Sequence, residues 1–384
     1  MPLVVFVLAV AVFAQGTSEF MMSGLLEQTA TDLGVSLGSV GLLTALYAVG
    51  VVLGAPAMAM TAGRWPIRRS AATFLAVFCA AHLVGALTTE FAVLLGTRVL
   101  AAVANAGFLA IVLAALPRLA GPARVGRATS IIVSGVTVAC IVGVPTGTLL
   151  GQLWGWRSAF WAVAVVSAAV LIPILVLVPR DEIAGDRTDA SIRSEWTVLR
   201  TVRTAVLAGI LVNAATFAGF TYLGTITAQI TGLGSAWIPL ALAVFGLGSF
   251  IGVTLTGQYS DRHRTAIITT GTPGLIVVWT LAALTAHTLT GVLITMFIAG
   301  AVAFGVGSTL VATIVQTATP TAPRLAGALA TTALNLGAIL GPGLAGVLVD
   351  RSGDPVTALW CSAGFATAAT TVVLLGLRRR VLVS

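Results

Sequence analysis

Lysine is absent from this chain of 384 residues, and its 20 basic residues are all arginine. Charge of either sign is scarce, at 8% of residues against about 25% in an ordinary soluble domain. So few charges do not dress a soluble core, and a soluble enzyme, a disordered chain and a fibrous protein are all excluded. Cysteine is also rare. Cys79, Cys140 and Cys361 each fall in an apolar run, which provides neither a disulfide framework nor a Cys/His metal spacing. No cofactor or metal is therefore expected. What the chain has in abundance is apolar surface, with 58% hydrophobic residues and a mean hydropathy of +1.06.

In lipid only helices and closed barrels satisfy their own backbone polar groups. Barrel strands alternate apolar and polar at every second residue. The apolar runs here are unbroken, so the reading is an all-α membrane protein. A crossing needs about 20 apolar residues. Twelve such spans fit, at 3–26, 39–61, 70–88, 91–116, 128–150, 158–178, 204–227, 236–256, 266–286, 290–315, 326–349 and 355–377. The first lacks the basic flank of a secretory signal, since the first arginine is Arg64, and is expected to be a retained helix.

Arginine placement tests this map, because basic residues concentrate in cytoplasmic loops. With both termini cytoplasmic, 17 of the 20 arginines fall on the inner side. Arg157 and Arg351 fall outside, and Arg98 falls within span 4. The net charge of +8 thus reads as loop charge, not as a nucleic-acid surface. The longest polar stretch, 179–203, mixes five acids with five arginines and reads as a cytoplasmic linker. It separates an N-terminal six-helix bundle, 1–178, from a C-terminal six-helix bundle, 204–384.

The halves echo each other. A short basic turn follows span 2 (Gly63 to Arg69, with Arg64, Arg68 and Arg69), and another follows span 8 (Gly257 to Arg264, with Asp261 and Arg262). Span 5 carries Gly135, Gly143, Pro145, Gly147 and Gly151; span 11 carries Gly337, Gly341, Pro342, Gly343 and Gly346. Small residues permit close helix approach in lipid, and proline permits a bend. Spans 5 and 11 are therefore expected to be bendable packing helices at the seam between the halves.

These residues resemble the major facilitator superfamily, in its twelve-helix drug:proton antiporter group. The segment Gly16-Thr17-Ser18-Glu19-Phe20-Met21, with Asp32-Leu33-Gly34-Val35-Ser36 after it, resembles the drug and sugar efflux branch and, within it, the actinobacterial chloramphenicol exporters. Ala104-Asn105-Ala106-Gly107-Phe108, Asn213-Ala214-Ala215-Thr216-Phe217 and Ala333-Leu334-Asn335-Leu336-Gly337 extend the match over nearly the whole chain. The resemblance implies two pseudo-symmetric bundles that rock about a central site. The chain also departs from the family pattern. In the first basic turn Ala59, Gly63 and Pro66 replace a Gly, the Asp and the second Gly, so an inner latch rests more on Gly257, Asp261 and Arg262. In span 5, Val144 separates Gly143 from Pro145; in span 4, Ala101 and Ala102 replace Gln-Gly beside Arg98.

An ionisable residue within the bilayer is a functional candidate by default. Glu19 is the one acid well inside a span. It lies roughly 10 Å from the outer end of span 1, at 1.5 Å per residue, and Arg98 lies at a similar depth in span 4. The two are expected to pair and to carry proton coupling. Asp32 reads as a cap at the outer turn, and His82 and His287 lie near outer helix ends. Helical spacing puts Gln15, Glu19 and Met22 on one face of span 1, Arg98, Asn105 and Phe108 on one face of span 4, and Asn213, Phe217 and Phe220 on one face of span 7. Tyr47 and Tyr222 are possible additions. Aromatic faces with amides suit a neutral aromatic amide such as chloramphenicol. Trp154, Trp156, Trp237 and Trp360 fit an interfacial belt.

The expectation is a proton-coupled drug exporter, not an enzyme. It is multi-pass in a bacterial inner membrane, monomeric and surrounded by lipid, with protons and a small-molecule drug as its partners. An exporter of sugars or other small metabolites is the alternative.

Overall fold

The computed structural model describes residues 1–61, 66–121, 124–179, 198–230, 234–318 and 323–381. The linker expected at 179–203 lies mostly outside them, as does Arg64. The side chains of Asp261 and Arg262 lie outside them as well.

Among the described residues, twelve helices are long and apolar enough to cross a membrane. In the first half they are Leu3–Phe20, Leu37–Gly54, Ile67–Leu87, Phe91–Leu113, Arg127–Trp154 and Arg157–Leu177. In the second they are Thr201–Gln229, Ser235–Tyr259, His263–Thr285, Leu289–Ala318, Leu329–Ser352 and Thr357–Gly376. They follow the apolar runs because a helix alone satisfies a backbone in lipid. Helix ends fall where a residue breaks the pattern. Span 1 passes Met21 into a further helix, Met22–Leu33, which stops at Gly34 with φ +65°. There the Val35 N–H bonds back to the Ala30 carbonyl, a left-handed cap that suits glycine. The basic turn after span 8 is not an open loop. Ile238–Thr285 is helical throughout except at His263, whose φ of −121° and ψ of 23° separate span 8 from span 9.

The chain forms two compact units. One is Met1–Val35 with Leu46–Asp189; the other is Ser36–Ala45 with Ala190–Ser384. In the first, span 1 packs against spans 5 and 6, and span 3 against spans 4 and 6. In the second, span 7 packs against spans 10, 11 and 12, and span 10 against the helical pair of spans 8 and 9. The start of span 2 belongs to this second unit. The Asp350 carboxylate accepts hydrogen bonds from the Ser36 hydroxyl at 2.7 Å and the Gly38 N–H at 2.8 Å. An acid at a helix N-terminus satisfies orphan N–H groups and complements the helix dipole.

The glycines of span 5 make tight contacts within the first unit and those of span 11 within the second, where Gly346 also meets the start of span 2: a Cβ on it would stand 3.1 Å from Gly38 Cα. A Cβ on Gly135 would stand 2.6 Å from the Ala9 carbonyl oxygen, and one on Gly143 would stand 3.1 Å from Thr17 Cβ, both on span 1. On span 11, a Cβ on Gly337 would meet Asn213 Cβ at 2.7 Å, and one on Gly341 the Ala218 nitrogen at 2.9 Å, both on span 7. Gly147 and Gly343 are under no such demand. Pro145 has no N–H to give the carbonyl four residues back. The turn before it, Ala139–Gly143, widens into a π-helix, and the Val144 N–H reaches the Ala139 carbonyl.

Candidate functional site

In the first unit a polar cluster is embedded among apolar helices. Arg98 is buried in span 4, at 1% exposure. Its guanidinium donates to the Ser18 hydroxyl and to the Ser18 carbonyl, each at 2.8 Å. The Ser18 hydroxyl lies 2.7 Å from His82 Nε2, and His82 Nδ1 lies 2.7 Å from the Phe78 carbonyl. A carbonyl only accepts, so Nδ1 carries the proton. Nε2 then accepts from the Ser18 O–H, and Ser18 Oγ accepts from Arg98. The result is a directed chain, Arg98 to Ser18 to His82 to Phe78, with a neutral imidazole. The His82 ring is fixed between Phe78, at 4.2 Å between centroids, and Phe160, at 5.7 Å.

The other face of the guanidinium lies on the ring of Tyr47, 4.4 Å from its centroid, a cation–π contact away from water. The Tyr47 hydroxyl accepts from Asn105 Nδ2 at 3.1 Å. Thus Arg98, Tyr47 and Asn105 come together as one array, and Phe108 is buried on the same helix as Asn105. Gln15 is buried with both amide atoms unpartnered, and the Arg98 Nε is unpartnered too. Burying an amide without partners is costly, and among the described residues nothing satisfies the Gln15 amide or the Arg98 Nε.

Glu19 does not take the place expected of it. It forms no ion pair with Arg98, whose described hydrogen bonds go to Ser18 instead. The two charges act on each other through space. Ser18 and Glu19 are neighbours in sequence but about 100° apart around the helix, and the arginine fork meets the serine side. Glu19 itself is only partly buried.

In the second unit, Asn213 Nδ2 donates to the Leu334 carbonyl at 2.5 Å, tying span 7 to span 11. Phe217 and Phe220 begin an aromatic ladder. Phe220 stacks on Phe245 at 4.8 Å, and Phe245 meets Phe304 edge-on at 6.0 Å. Phe245 and Phe304 are members of the ladder that helical spacing alone did not select. Tyr222 is fully buried with its hydroxyl unpartnered.

His82 is the main residue missed in the first unit. It lies five residues from the end of Ile67–Leu87, or roughly 8 Å deep, close to the depth of Arg98. The same depth arithmetic applied to span 3 would have found it. Asp32 is not a helix cap. Its carboxylate pairs with Arg157 and accepts from the Trp156 indole at 3.1 Å. The Arg157 hydrogen bond first, and the Trp156 one next, hold its carboxyl below the usual aspartate range. Trp156 is accordingly buried at 2% exposure rather than interfacial, whereas Trp154, Trp237 and Trp360 are exposed. Of the conformational residues, Arg68 is half-buried, Arg69 is exposed, and the space beside Gly257 is open. Among the described residues no cluster of metal-ligating side chains occurs.

Comparison with known proteins places this geometry in context. The family model of the Major Facilitator Superfamily matches residues 8–342. A chloramphenicol resistance protein of Streptomyces lividans is 44% identical over 94% of this chain and 93% of its own length. A chloramphenicol efflux pump of Mycobacterium tuberculosis is 31% identical over 90% of this chain and 86% of its own. Among solved structures, a single-residue mutant of the nucleoside transporter NupG superposes with a TM-score of 0.79 at 14% identity, covering 97% of this chain and 98% of that one. At that identity the likeness is one of fold.

Proposed function

The chain belongs to the Major Facilitator Superfamily, as a twelve-helix membrane transporter, and from that premise we propose that it exports chloramphenicol or related amphenicols in exchange for protons. The observation that carries the substrate class is the 44% identity, end to end, to a chloramphenicol resistance protein. The aromatic ladder of Phe217, Phe220, Phe245 and Phe304 in the second unit suits a neutral aromatic molecule.

The proton site is Glu19. It lies in Leu3–Phe20, no hydrogen bond holds it among the described residues, and it lies in the field of the buried Arg98. A carboxylate free of fixed partners exchanges its proton as its surroundings change, while the Ser18–His82 chain keeps Arg98 in place. The bundles 1–178 and 204–384 alternate access to a midplane site. The membrane is the bacterial inner membrane, with both termini cytoplasmic, and the working unit is a monomer. One charge moved inward is worth about 2.3 kcal/mol per 100 mV. That supports roughly a 50-fold drug gradient per proton from voltage alone.

The test is accumulation of labelled chloramphenicol in cells that express the chain, with and without an uncoupler. Low accumulation that rises when the proton gradient collapses is the expected result. Glu19→Gln, folded and at equal abundance, loses the uncoupler-sensitive difference. Full export by that variant refutes the role of Glu19. Unchanged accumulation with the unaltered chain refutes the amphenicol assignment and turns the search to sugars and other small metabolites.

A further inference from the structure

A second polar space lies in the second unit, apart from the residues assigned to transport. It has a volume of about 640 Å³ and opens among spans 7, 9, 10 and 12, at the end that carries the His263 break. No acid lines it. Arg264 stands at its wall and donates to Gln316 on span 10, yet its Nε is buried and has no partner. The wall also carries five threonines. Thr269 and Thr313 spend their hydroxyl protons on carbonyls of their own helices. Thr204, Thr265 and Thr317 do not, among the described residues. His263 is exposed beside them. The backbone helix of span 12 continues from Gly376, on the wall, directly into Arg378, Arg379 and Arg380.

The space is therefore a basic, donor-rich cavity between membrane helices. Its wall mixes these donors with alanine and aliphatic side chains, and among the described residues no acid lies within to neutralise it. Leu207, Leu374 and Leu375, next in sequence to the wall residues Ala208, Val373 and Gly376, are exposed apolar side chains on spans 7 and 12. Donors inside and leucines outside match a molecule with an anionic head and apolar tails. Basic pockets between helices are the usual seat of phospholipid headgroups.

We propose that this cavity binds the phosphate headgroup of an anionic membrane phospholipid. Arg264 and the free threonine hydroxyls hold the phosphate oxygens, and the acyl chains lie along the exposed leucines. The site joins spans 7, 9, 10 and 12 and is independent of what is transported.

The test uses the purified full-length protein in a neutral detergent. Phosphatidylglycerol and phosphatidylcholine of matched chains are titrated separately, and retained lipid is read by native mass spectrometry. Phosphatidylglycerol is expected to be retained in preference to phosphatidylcholine. Arg264→Gln, which removes charge-assisted bonds, weakens that retention about tenfold or more, and Thr265→Val weakens it less. Arg351→Gln, on an exposed arginine at the other end of the unit, leaves it unchanged. Inorganic phosphate supplies the remaining arm: failure of millimolar phosphate to displace the lipid supports a lipid site. Phosphate binding with equal retention of the two lipids overturns it in favour of a free-anion site. Equal retention by the unaltered protein and Arg264→Gln also overturns it. If the variants do not fold, the preference of the unaltered protein decides, and no preference refutes the proposal.

Discussion

Ser18 is one hydroxyl between two buried partners, and that makes its removal informative. Ser18→Ala deletes the acceptor of one Arg98 N–H and the donor to His82 Nε2. Arg98 keeps its second bond, to the Ser18 carbonyl, because that group belongs to the backbone. A buried polar group left unsatisfied costs about 1–3 kcal/mol. With Nε2 stranded and one charge-assisted bond lost, Ser18→Ala should destabilise the fold by about 2 kcal/mol or more. His82→Leu, near in volume, strands only the serine proton and should cost about 1–3 kcal/mol. The double variant removes both halves of the Ser18–His82 bond, so the two losses should not add. It is expected to be no less stable than Ser18→Ala, a coupling of about 1 kcal/mol or more. The assay is a denaturant titration of each purified variant in one mixed micelle, with the four unfolding free energies closed into a cycle. Additivity within about 0.5 kcal/mol would mean that the directed chain does not exist as described.

Two further outcomes follow from other sites. Gly337→Ala places a methyl 2.7 Å from Asn213 Cβ and 2.8 Å from the Ala214 nitrogen, so spans 7 and 11 must part; Gly343→Ala meets nothing within 4 Å. Both gain up to about 1 kcal/mol in helix propensity, but only the first pays about 1–3 kcal/mol for overpacking, and equal thermal midpoints would refute the packing argument. Asp32→Asn should destabilise the protein at neutral pH by about 1 kcal/mol or less, because the Asp32 side chain is 45% exposed. A carboxyl held low by Arg157 contributes stability above the ordinary aspartate range and loses it as pH falls through the native value. The variant and the unaltered chain should therefore converge in strong acid, and a gap that persists there would contradict the ion pair.

Hydropathy made the twelve spans legible, because each crossing must be apolar along its whole length. It also placed Arg98 seven residues into Phe91–Leu113, since depth is a count of residues from a helix end, whereas the span that holds Glu19 ends at Phe20 rather than at Leu26. Direction around the helix was not legible. Arg98 is long enough to reach either Ser18 or Glu19, and only the placement of span 4 beside span 1 decides between them. His82 lies near a helix end in sequence, yet five residues of helix put it roughly 8 Å deep. Asn213 looked like a ligand group on helical spacing, yet its amide is bonded to a backbone carbonyl of span 11, a partner more than a hundred residues away. Trp156 has the composition of a belt residue, but Asp32 draws its indole inward.

The wide turn in span 5 has a consequence for register. Gly135 and Gly143 are eight residues apart, and in a uniform α-helix that spacing turns the second about 80° from the first. The π-turn at Ala139–Gly143 absorbs one residue, and the remaining seven make very nearly two turns. Both glycines then look out over the same phenylalanine. A Cβ on Gly135 would meet the Phe13 nitrogen at 3.0 Å, and one on Gly143 the Phe13 ring at 3.1 Å. Deleting a single residue inside the turn, Ile141 for instance, would leave the two glycines seven residues apart in an ordinary helix, still very nearly two turns, so both would keep their face toward span 1. Gly151 would likewise stay against Leu25. The same deletion elsewhere in span 5, with the turn kept, would rotate everything beyond it by about 100°, so the wide turn is the place where this helix best tolerates the loss of a residue.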